Sequence, residues 1–313
     1  MTYETPGLST PLTYGKNFLY SPFPQPYEPM TLTIKKRGRP TKAEVAAREA
    51  VAHASDNMTD AELLTDVQDR FATLEELTRG AIDGTVRAVT VSGAPGVGKT
   101  YTVERILEAA GETRNTKYEV VHGAISPVNL YKLGYRNRHS GSVVVLDDAD
   151  SIFQDEEALN ILKALCDSSP VRRVSWLKES HALKAEDIPT TYEFHGAFIF
   201  ITNLDFQYYV DMGGNKYAQH FEAIMSRSLY LDLRLHTRKA LGTWVQFVAT
   251  ENKILAREGL PDPVAADVLQ FVMEHRERLR ELSLRTVLKL AQLAKSNRNW
   301  KARAKTLLTR QTT

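Results

Sequence analysis

The chain is organised around the stretch Val89-Thr90-Val91-Ser92-Gly93-Ala94-Pro95-Gly96-Val97-Gly98-Lys99-Thr100, a β-branched apolar run followed by a glycine-rich loop ending in lysine and threonine. Glycines let a backbone approach a polyanion closely and turn several N–H groups toward it. Lys99 can reach the β- and γ-phosphates of a nucleotide, and the Thr100 hydroxyl can ligate Mg²⁺. The stretch therefore predicts a phosphate-binding loop at residues 93–100, followed directly by Tyr101.

The segments on both sides of this loop support the prediction. Residues 88–91 suit a buried strand, and apolar residues recur at helical spacing after Thr100 until Gly111, where we expect the helix to end. The positive end of such a helix favours an anion. A glycine-rich turn with a surface lysine is the alternative, but the order of strand, loop and helix favours a phosphate site.

Composition indicates the broad class of protein. With 313 residues, 42% hydrophobic and 25% charged, the chain is typical of a globular protein large enough for two domains. Its one cysteine, Cys166, excludes an internal disulfide framework and is expected to be a buried thiol. The chain has no run of 18 apolar residues and no signal-peptide pattern, so we expect a cytoplasmic protein without a membrane partner. A formal charge of +2 neither favours nor excludes nucleic acid.

The N-terminal segment is expected to be extended. Residues 1–35 are rich in proline and tyrosine and show no helical or strand period. Next comes Arg37-Gly38-Arg39-Pro40, which resembles an AT-hook, a short segment that lays arginines into the minor groove of A·T-rich DNA. The alternative is that Thr41 and Glu44 form a capping box and begin a helix there. DNA contact through Arg37 and Arg39 is therefore one of two interpretations of this segment.

Short apolar runs alternate with helical patterns through the middle of the chain. This alternation predicts an α/β fold with a parallel, doubly wound sheet. After about residue 236 the strand signals stop and only helical patterns follow. We therefore expect a leader at 1–57, an α/β nucleotide-binding core at 58–235 and a helical lid domain at 236–313.

Two carboxylates follow the buried run Val143–Leu146. Ligands of parallel sheets bind at the carboxyl ends of the strands. We expect Asp147 to hold Mg²⁺ and Asp148 to orient the water that attacks the γ-phosphate. Asp150 is a nearby alternative for the second role, although a turn partner before Ile152 fits it better. The simpler alternative is an Asp-rich turn after a strand.

Together these motifs resemble the AAA+ superfamily, the ATPases associated with diverse cellular activities, over residues 60–300. The resemblance implies a P-loop NTPase three-layer sandwich with a helical lid, acting on ATP and Mg²⁺. It assigns sensor 1 to Asn203 in Phe198-Ile199-Phe200-Ile201-Thr202-Asn203, the arginine finger to Arg227 in Ser226-Arg227-Ser228, and sensor 2 to Arg285 in Leu282-Ser283-Leu284-Arg285-Thr286. Taken singly, each of these is also typical of a turn or surface residue.

The resemblance also implies an assembly. An arginine that acts on a neighbour's nucleotide requires a homo-oligomer, a ring or open spiral, and the family suggests six subunits. In the family the second acid is most often Glu. Asp148 is shorter by one methylene, so slow hydrolysis is expected. The segment Leu146-Asp147-Asp148-Ala149-Asp150 further resembles ATPases of tailed bacteriophages, which would place the protein in a host cytoplasm.

Two basic segments could contact a substrate. Pro170-Val171-Arg172-Arg173-Val174-Ser175-Trp176-Leu177-Lys178 lies where the resemblance places pore or hairpin loops, so that Arg172, Arg173 and Lys178 could face a nucleic acid or a polypeptide. An edge hairpin that packs Trp176 into the core is an equal alternative. A basic C-terminal tail, which includes Lys301 and Arg310, is by default a solvated helix face.

Three functions are compatible with these patterns. The leading one is an ATP-hydrolysing oligomer that remodels or loads a protein or nucleic-acid substrate. The second is a small-molecule or nucleoside kinase, for which neither an acceptor pocket nor an arginine-rich lid between core strands is evident. The third is a nucleotide-switched DNA-binding protein with weak ATPase activity, suggested by the Arg37–Arg39 segment and by Asp148.

Overall fold

The structure, a computed structural model, describes residues 58–114, 117–212 and 217–310. The N-terminal leader, the Arg37–Arg39 segment and the alternative capping box at Thr41 all lie outside these residues. No helix in the described part combines the length and apolar character needed to cross a membrane.

Seven strands form two sheets in the described residues. The strands are β1 (Ala88–Ser92), β2 (Tyr118–His122), β3 (Val143–Asp147), β4 (Arg172–Ser175), β5 (Thr191–Phe194), β6 (Ala197–Thr202) and β7 (Leu229–Asp232). The larger sheet has the order β2-β3-β6-β1-β7, and every pair in it is parallel. The expected parallel sheet is therefore confirmed.

Helices cover both faces of this sheet and make up the C-terminal part of the chain. Those up to β7 are α1 (Asp60–Asp83), α2 (Lys99–Arg114), α3 (Pro127–Arg136), α4 (Glu156–Leu165), α5 (His181–Lys184), α6 (Phe206–Met212) and α7 (Ala218–Met225), with a short 3-10 helix at Asp150–Gln154. Those after β7 are α8 (Arg238–Glu251), α9 (Ile254–Arg257), α10 (Asp262–Glu274), α11 (Leu284–Ser296) and α12 (Trp300–Leu308).

The central strands are buried on both faces, which explains why they appear in the sequence as continuous apolar runs. Successive residues of β3 face opposite layers: Val143 and Val145 pack with α1 and α2, whereas Val144 and Leu146 pack with α3, α4 and the small sheet. The molecule thus has helix, sheet and helix layers. The P-loop NTPase α/β fold expected from the sequence is confirmed.

The sheet order brings the predicted strand-end residues together. β1, which leads into the phosphate loop, lies next to β6, and β6 lies between β1 and β3. Ser92 is in register with Thr202, and Ile201 with Asp147. Because all three strands run in parallel, their carboxyl ends meet at one edge of the sheet.

The helices after β7 have an apolar core of their own. Val245 of α8, Val268 and Phe271 of α10, Leu290 of α11 and Trp300 of α12 are buried in it. Trp244 of α8 instead packs with the sheet-side cluster around Val97. We refer to α8–α12 as the helical region. The domain boundaries stay a prediction.

The structure corrects the expectation that Arg172 faces a substrate. β4 and β5 form an antiparallel hairpin, and Trp176 is buried in the core, as the edge-hairpin alternative predicts. Arg172 is 5% exposed and donates hydrogen bonds to the carbonyl oxygens of Leu165 (2.9 Å) and Gly196 (2.6 Å). Its guanidinium therefore does not face a substrate, because the core holds it. Arg173 and Lys178 are exposed and pair with Glu193 and Glu157.

Two glycines lie inside helices, and for Gly111 this corrects the helix end expected from the sequence. Gly80 is within α1, which ends at Asp83 and is capped by Gly84 (φ 77°), whose N–H donates to the Ala81 carbonyl. Gly111 is within α2, which continues to Arg114. A glycine inside a helix costs only about 1 kcal/mol relative to alanine, and the packing of both helices on the sheet offsets it.

Candidate functional site

The phosphate loop joins β1 to α2 through two glycines in the left-handed region. Gly96 has φ 70° and Gly98 has φ 109°, conformations that side chains rarely adopt. The loop is also closely surrounded: a Cβ on Gly96 would lie 2.8 Å from the Ser283 Cβ. Both glycines are therefore required by backbone shape, and Gly96 also by the space that the helical region leaves.

Lys99 lies folded into this loop and is only 6% exposed. Its Nζ donates to the carbonyl oxygens of Gly93 (2.6 Å) and Ala94 (3.0 Å) and to the Oδ1 of Asn203 (2.9 Å). Burial lowers the pKa of Lys99 to about 8, and the nearby carboxylates of Asp148 and Asp147 partly oppose that shift. The ammonium is thus held at the strand-end edge, next to both predicted acids.

Thr100 and Asp147 form the second contact across the site. The Thr100 hydroxyl donates to the Oδ2 of Asp147 over 2.9 Å. The same carboxylate oxygen lies 3.2 Å from the Nδ1 of His122, and the other ring nitrogen of His122 lies 3.7 Å from Glu104. The structure therefore brings together the two residues predicted to hold Mg²⁺ and adds a histidine beside them.

Asn203 connects the loop lysine to the second acid. Its Oδ1 accepts from Lys99 and its Nδ2 donates to the Oδ1 of Asp148 over 2.6 Å. Asp148 has φ 52°, the left-handed conformation that Asp adopts more readily than most residues. Its backbone N–H donates to the Ile201 carbonyl (3.1 Å), so the end of β6 holds this turn in place.

Asp150 has a structural partner instead of a place in the site. Its Oδ1 accepts from the Thr202 hydroxyl over 2.7 Å, and it begins the 3-10 helix. Burial raises the pKa of this carboxyl. Among the described residues that line the cavity, Asp147 and Asp148 are present and Asp150 is not.

A cavity of about 660 Å³ opens from the phosphate loop toward the helical region. One end is lined by loop residues with Asp147, Asp148 and Asn203, and the other end by Phe247, Val248, Asn252 and Ile254. Tyr101 and Arg285 line it as well. The cavity thus has a charged end at the sheet and, in the helical region, an end that combines apolar side chains with the charged Arg257 and Glu258.

Arg227 lies apart from this cavity. It follows α7, where its Nη1 donates to the Ala223 carbonyl (2.9 Å) and its Nε lies 3.7 Å from the Oδ2 of Asp167. About a third of the side chain is exposed. In the described part of the chain, the cavity lining includes Arg285 but not Arg227.

The residues present fit a nucleoside triphosphate with Mg²⁺. The Thr100 hydroxyl and the Asp147 carboxylate are hard oxygen ligands of the kind Mg²⁺ takes, and they lie within hydrogen-bond distance of each other. The N–H groups at the start of α2 and the Lys99 ammonium suit a polyphosphate. The apolar side chains of the cavity suit a flat ring system.

Sequence reasoning missed two site residues. His122 directly follows the Tyr118–Val121 run, so the reasoning that selected the acids after β3 could have found it. Trp244 could not be found in this way, because an apolar residue at helical spacing is typical of any core. In the structure its Nε1 donates to the Val97 carbonyl over 3.0 Å.

Comparison with known proteins identifies a relative of phage origin. A 36.7 kDa protein in the nrdC–mobD intergenic region of Enterobacteria phage T4 is 36% identical over 238 residues, which is 76% of this chain and 73% of that protein. The chain belongs to the family of this phage protein. The phage origin of this relative agrees with the resemblance to bacteriophage proteins predicted from the sequence. No family model matches the chain.

Solved structures show partial similarity of fold. PCH-2 of C. elegans is 12% identical, with a TM-score of 0.39 over 77% of this chain and 63% of that one. The P-loop NTPase domain of an E. coli sigma-54 transport activator is 17% identical, with a TM-score of 0.31 over 54% of this chain and 96% of the domain. ORC2 of Aeropyrum pernix is 18% identical, with a TM-score of 0.32 over 57% of this chain and 51% of that one.

Proposed function

We propose that the chain binds ATP with Mg²⁺ in this cavity and hydrolyses the terminal phosphate. The observation that carries the proposal is the continuous contact from Lys99 through the Asn203 amide to Asp148, beside the Thr100–Asp147 pair. These groups come from the carboxyl ends of β3 and β6 and from the start of α2, directly after the loop. The arrangement supplies positive charge, metal ligands and a carboxylate at one point, as phosphoryl transfer requires.

Each residue has a distinct chemical task in this proposal. Thr100 and Asp147 would hold Mg²⁺, which would supply the charge that neutralises the phosphate oxygens. Residues 93–101 surround the phosphates, and Lys99 supplies a fixed positive charge beside them. Asn203 and Asp148 orient the attacking water, and Asp148 accepts its proton.

Arg285 and the apolar side chains of the cavity extend the proposed site into the helical region. Arg285 lies at the start of α11, next to Gly96, where its guanidinium can contact the phosphates. Phe247, Val248 and Ile254 supply apolar surface for the base. The proposed division into a core at 58–235 and a lid at 236–313 places the nucleotide between the two.

We further propose that the active form is a homo-oligomer, with six subunits suggested by the resemblance. The exposed position of Arg227, away from the cavity of its own chain, supports a role at the site of a neighbouring copy. Such an assembly would remodel or load a protein or nucleic-acid substrate. The phage relative supports action in a host cytoplasm.

Substitution of the loop lysine tests the site. Lys99→Ala removes the charge beside the phosphates, so we expect loss of ATP binding and of Mg²⁺-dependent turnover, measured by equilibrium dialysis and phosphate release. Lys178→Ala removes an exposed lysine outside the site and should leave both unchanged. Unchanged ATPase activity in folded Lys99→Ala would contradict the assignment.

A nucleotide-switched DNA-binding protein is the second candidate. Asp148 is shorter by one methylene than the glutamate usual in the resembled family, which favours slow turnover. Phosphate release measured with and without A·T-rich duplex separates the two candidates. Negligible turnover under both conditions, together with ATP-dependent retention on the duplex, would support the switch.

A further inference from the structure

Two neighbouring carbonyl groups of the phosphate loop accept hydrogen bonds from the helical region. The Trp244 Nε1 on α8 donates to the Val97 carbonyl over 3.0 Å. The Leu284 backbone N–H, at the start of α11, donates to the Gly96 carbonyl, also over 3.0 Å. Two separate helices therefore hold two consecutive peptide groups of the loop.

These bonds fix the direction of the loop N–H groups. In a planar trans peptide, the carbonyl of one residue and the N–H of the next point in opposite directions. Holding the Val97 carbonyl toward Trp244 therefore turns the Gly98 N–H away from the indole. Holding the Gly96 carbonyl toward α11 likewise turns the Val97 N–H away from that helix.

The loop needs such holding because glycines flank Val97. Gly96 and Gly98 have φ values of 70° and 109°. Glycine populates positive and negative φ about equally, so the peptides between these glycines are free to rotate unless something outside the loop fixes them. The carbonyl contacts from the helical region provide that constraint.

The position of Trp244 is itself fixed. The side chain is 6% exposed, and its ring stacks on Phe71 of α1 with the ring centroids 4.4 Å apart and the planes at 23°. The Phe247 ring lies 5.8 Å away on the same helix. The indole N–H is thus presented to the Val97 carbonyl by packing from two helices.

We infer that Trp244 is a positioning residue of the phosphate loop, which sets the direction of the N–H groups that bind phosphate. With the Leu284 N–H, it makes the orientation of the helical region a determinant of phosphate affinity. This inference rests on the proposed function, because it requires that the loop binds the phosphates of ATP.

Trp244→Phe tests the inference, since it keeps an aromatic ring but removes the N–H together with the five-membered ring of the indole. Trp300→Phe is the matched control: Trp300 is also 6% exposed, in α12, and packs on Phe271 at 5.4 Å. A neutral hydrogen bond corresponds to about a 3- to 10-fold change in affinity. We expect the Kd for Mg·ATP and the KM to rise by that factor in Trp244→Phe, with kcat within about 2-fold, while Trp300→Phe matches the wild type.

Inorganic triphosphate separates loop positioning from contact with the base. Trp244 also lines the cavity, so a changed ring could affect the base alone. Inorganic triphosphate has no base, so its inhibition constant should rise by the same factor as the Kd for Mg·ATP. Weakening for ATP alone would overturn the inference.

Leu284→Pro removes the second hydrogen bond without breaking the helix. Proline is favoured at the first helical position, and Ser283 before it is extended (φ −159°, ψ 167°), as a residue preceding proline should be. We expect a similar loss of triphosphate affinity.

Trp fluorescence shows whether ATP binds beside Trp244, because Trp244→Phe lacks this reporter, whereas the rise in Kd and KM at near-constant kcat separates loop positioning from a purely structural role. ATP should change the emission of the wild type and of Trp300→Phe, and the change should be absent from Trp244→Phe. Unchanged ATP and triphosphate affinity in folded Trp244→Phe, or equal weakening in Trp300→Phe, would overturn the inference. A wild-type chain that binds no ATP would instead overturn the proposed function.

Discussion

Asn203 uses both ends of its side-chain amide at the site. The oxygen accepts from Lys99, and the nitrogen donates to Asp148. An asparagine is suited to this position because an amide is a donor and an acceptor at once, whereas a carboxylate would face Asp148 with like charge. The residue thus positions the carboxylate relative to the phosphate loop.

Removal of this amide should affect chemistry more than binding. In Asn203→Ala, Asp148 loses the donor that orients it, while Lys99 keeps two loop carbonyls as partners. We expect kcat to fall about 100-fold and the Kd for ATP to change by less than about 3-fold, measured by phosphate release and dialysis. Asn160→Ala, an exposed position on α4, is the control. A full kcat in Asn203→Ala would show that the amide has no role in turnover.

At the scale of elements, the β4–β5 hairpin shows how neighbouring residues can differ in role. Arg172 and Arg173 are adjacent on β4, so the strand places them on opposite faces. Arg172 points into the core, stacks over Phe194 and is bonded to two carbonyls, whereas Arg173 is exposed beside Glu193. Burial lowers the pKa of Arg172 to about 10, which still leaves it charged at neutral pH.

Stability measurements on the two arginines should therefore diverge. Arg172→Ala leaves the Leu165 and Gly196 carbonyls without their donor and opens a cavity, so we expect the free energy of unfolding to fall by about 2–4 kcal/mol in urea titrations. Arg173→Ala removes a surface ion pair and should change it by less than about 0.5 kcal/mol. Equal effects of the two substitutions would contradict the buried role of Arg172.

At the scale of the whole molecule, the cavity and Arg227 lie at different places on one chain. Arg227 is held by the last turn of its own helix and by Asp167, both at the surface. Among the described residues, the lining of the cavity in the same chain does not include Arg227. If Arg227 acts on phosphate, it acts on that of another copy.

Mixing two inactive variants tests this arrangement. Arg227→Ala should keep ATP binding and lose about 10³-fold in turnover, because an arginine supplied by a neighbour contributes about 10³ to 10⁵ in rate. Asp148→Asn lacks the proposed base but keeps its arginine. Mixed oligomers of the two should recover part of the turnover, since some interfaces combine an intact site with an intact arginine.

The control for this experiment is the size of the assemblies. Light scattering with a slowly hydrolysed ATP analogue should show oligomers of the wild type and of both variants. Absence of recovery in proven mixed oligomers would contradict action in trans. A strict monomer with and without the analogue would contradict the oligomeric proposal.

Local sequence was sufficient to predict much of the sheet. The three central strands appear as apolar runs because both of their faces are buried, and the phosphate loop is a contiguous motif. The short helices α5, α6 and α7 were not predicted, since four to eight residues give little periodicity. The helical patterns expected after residue 236 are interrupted after Glu274, where α10 ends and turns follow.

The residues of the candidate site likewise fall into those that local sequence predicts and those that it does not. Lys99 and Thr100 could be named from the loop motif, Asp147 and Asp148 from their place after a strand, and Asn203 from the family resemblance. Parallel strands bring these carboxyl ends to one edge. The burial of Arg172 and the place of His122 beside Asp147 were not predicted. Both depend on which neighbour each strand pairs with, which a single strand does not encode.

The sequence by itself determined the phosphate loop, the strand-end acids and the helical character of the C-terminal region. Only the tertiary structure decided that Trp244 and Leu284 hold the carbonyl groups of that loop. Residues 97 and 244 are 147 positions apart, and their contact arises from the packing of α8 against α1. Local propensity specifies where strands and turns lie, whereas contacts at such separation follow from how complete elements bury their apolar faces together.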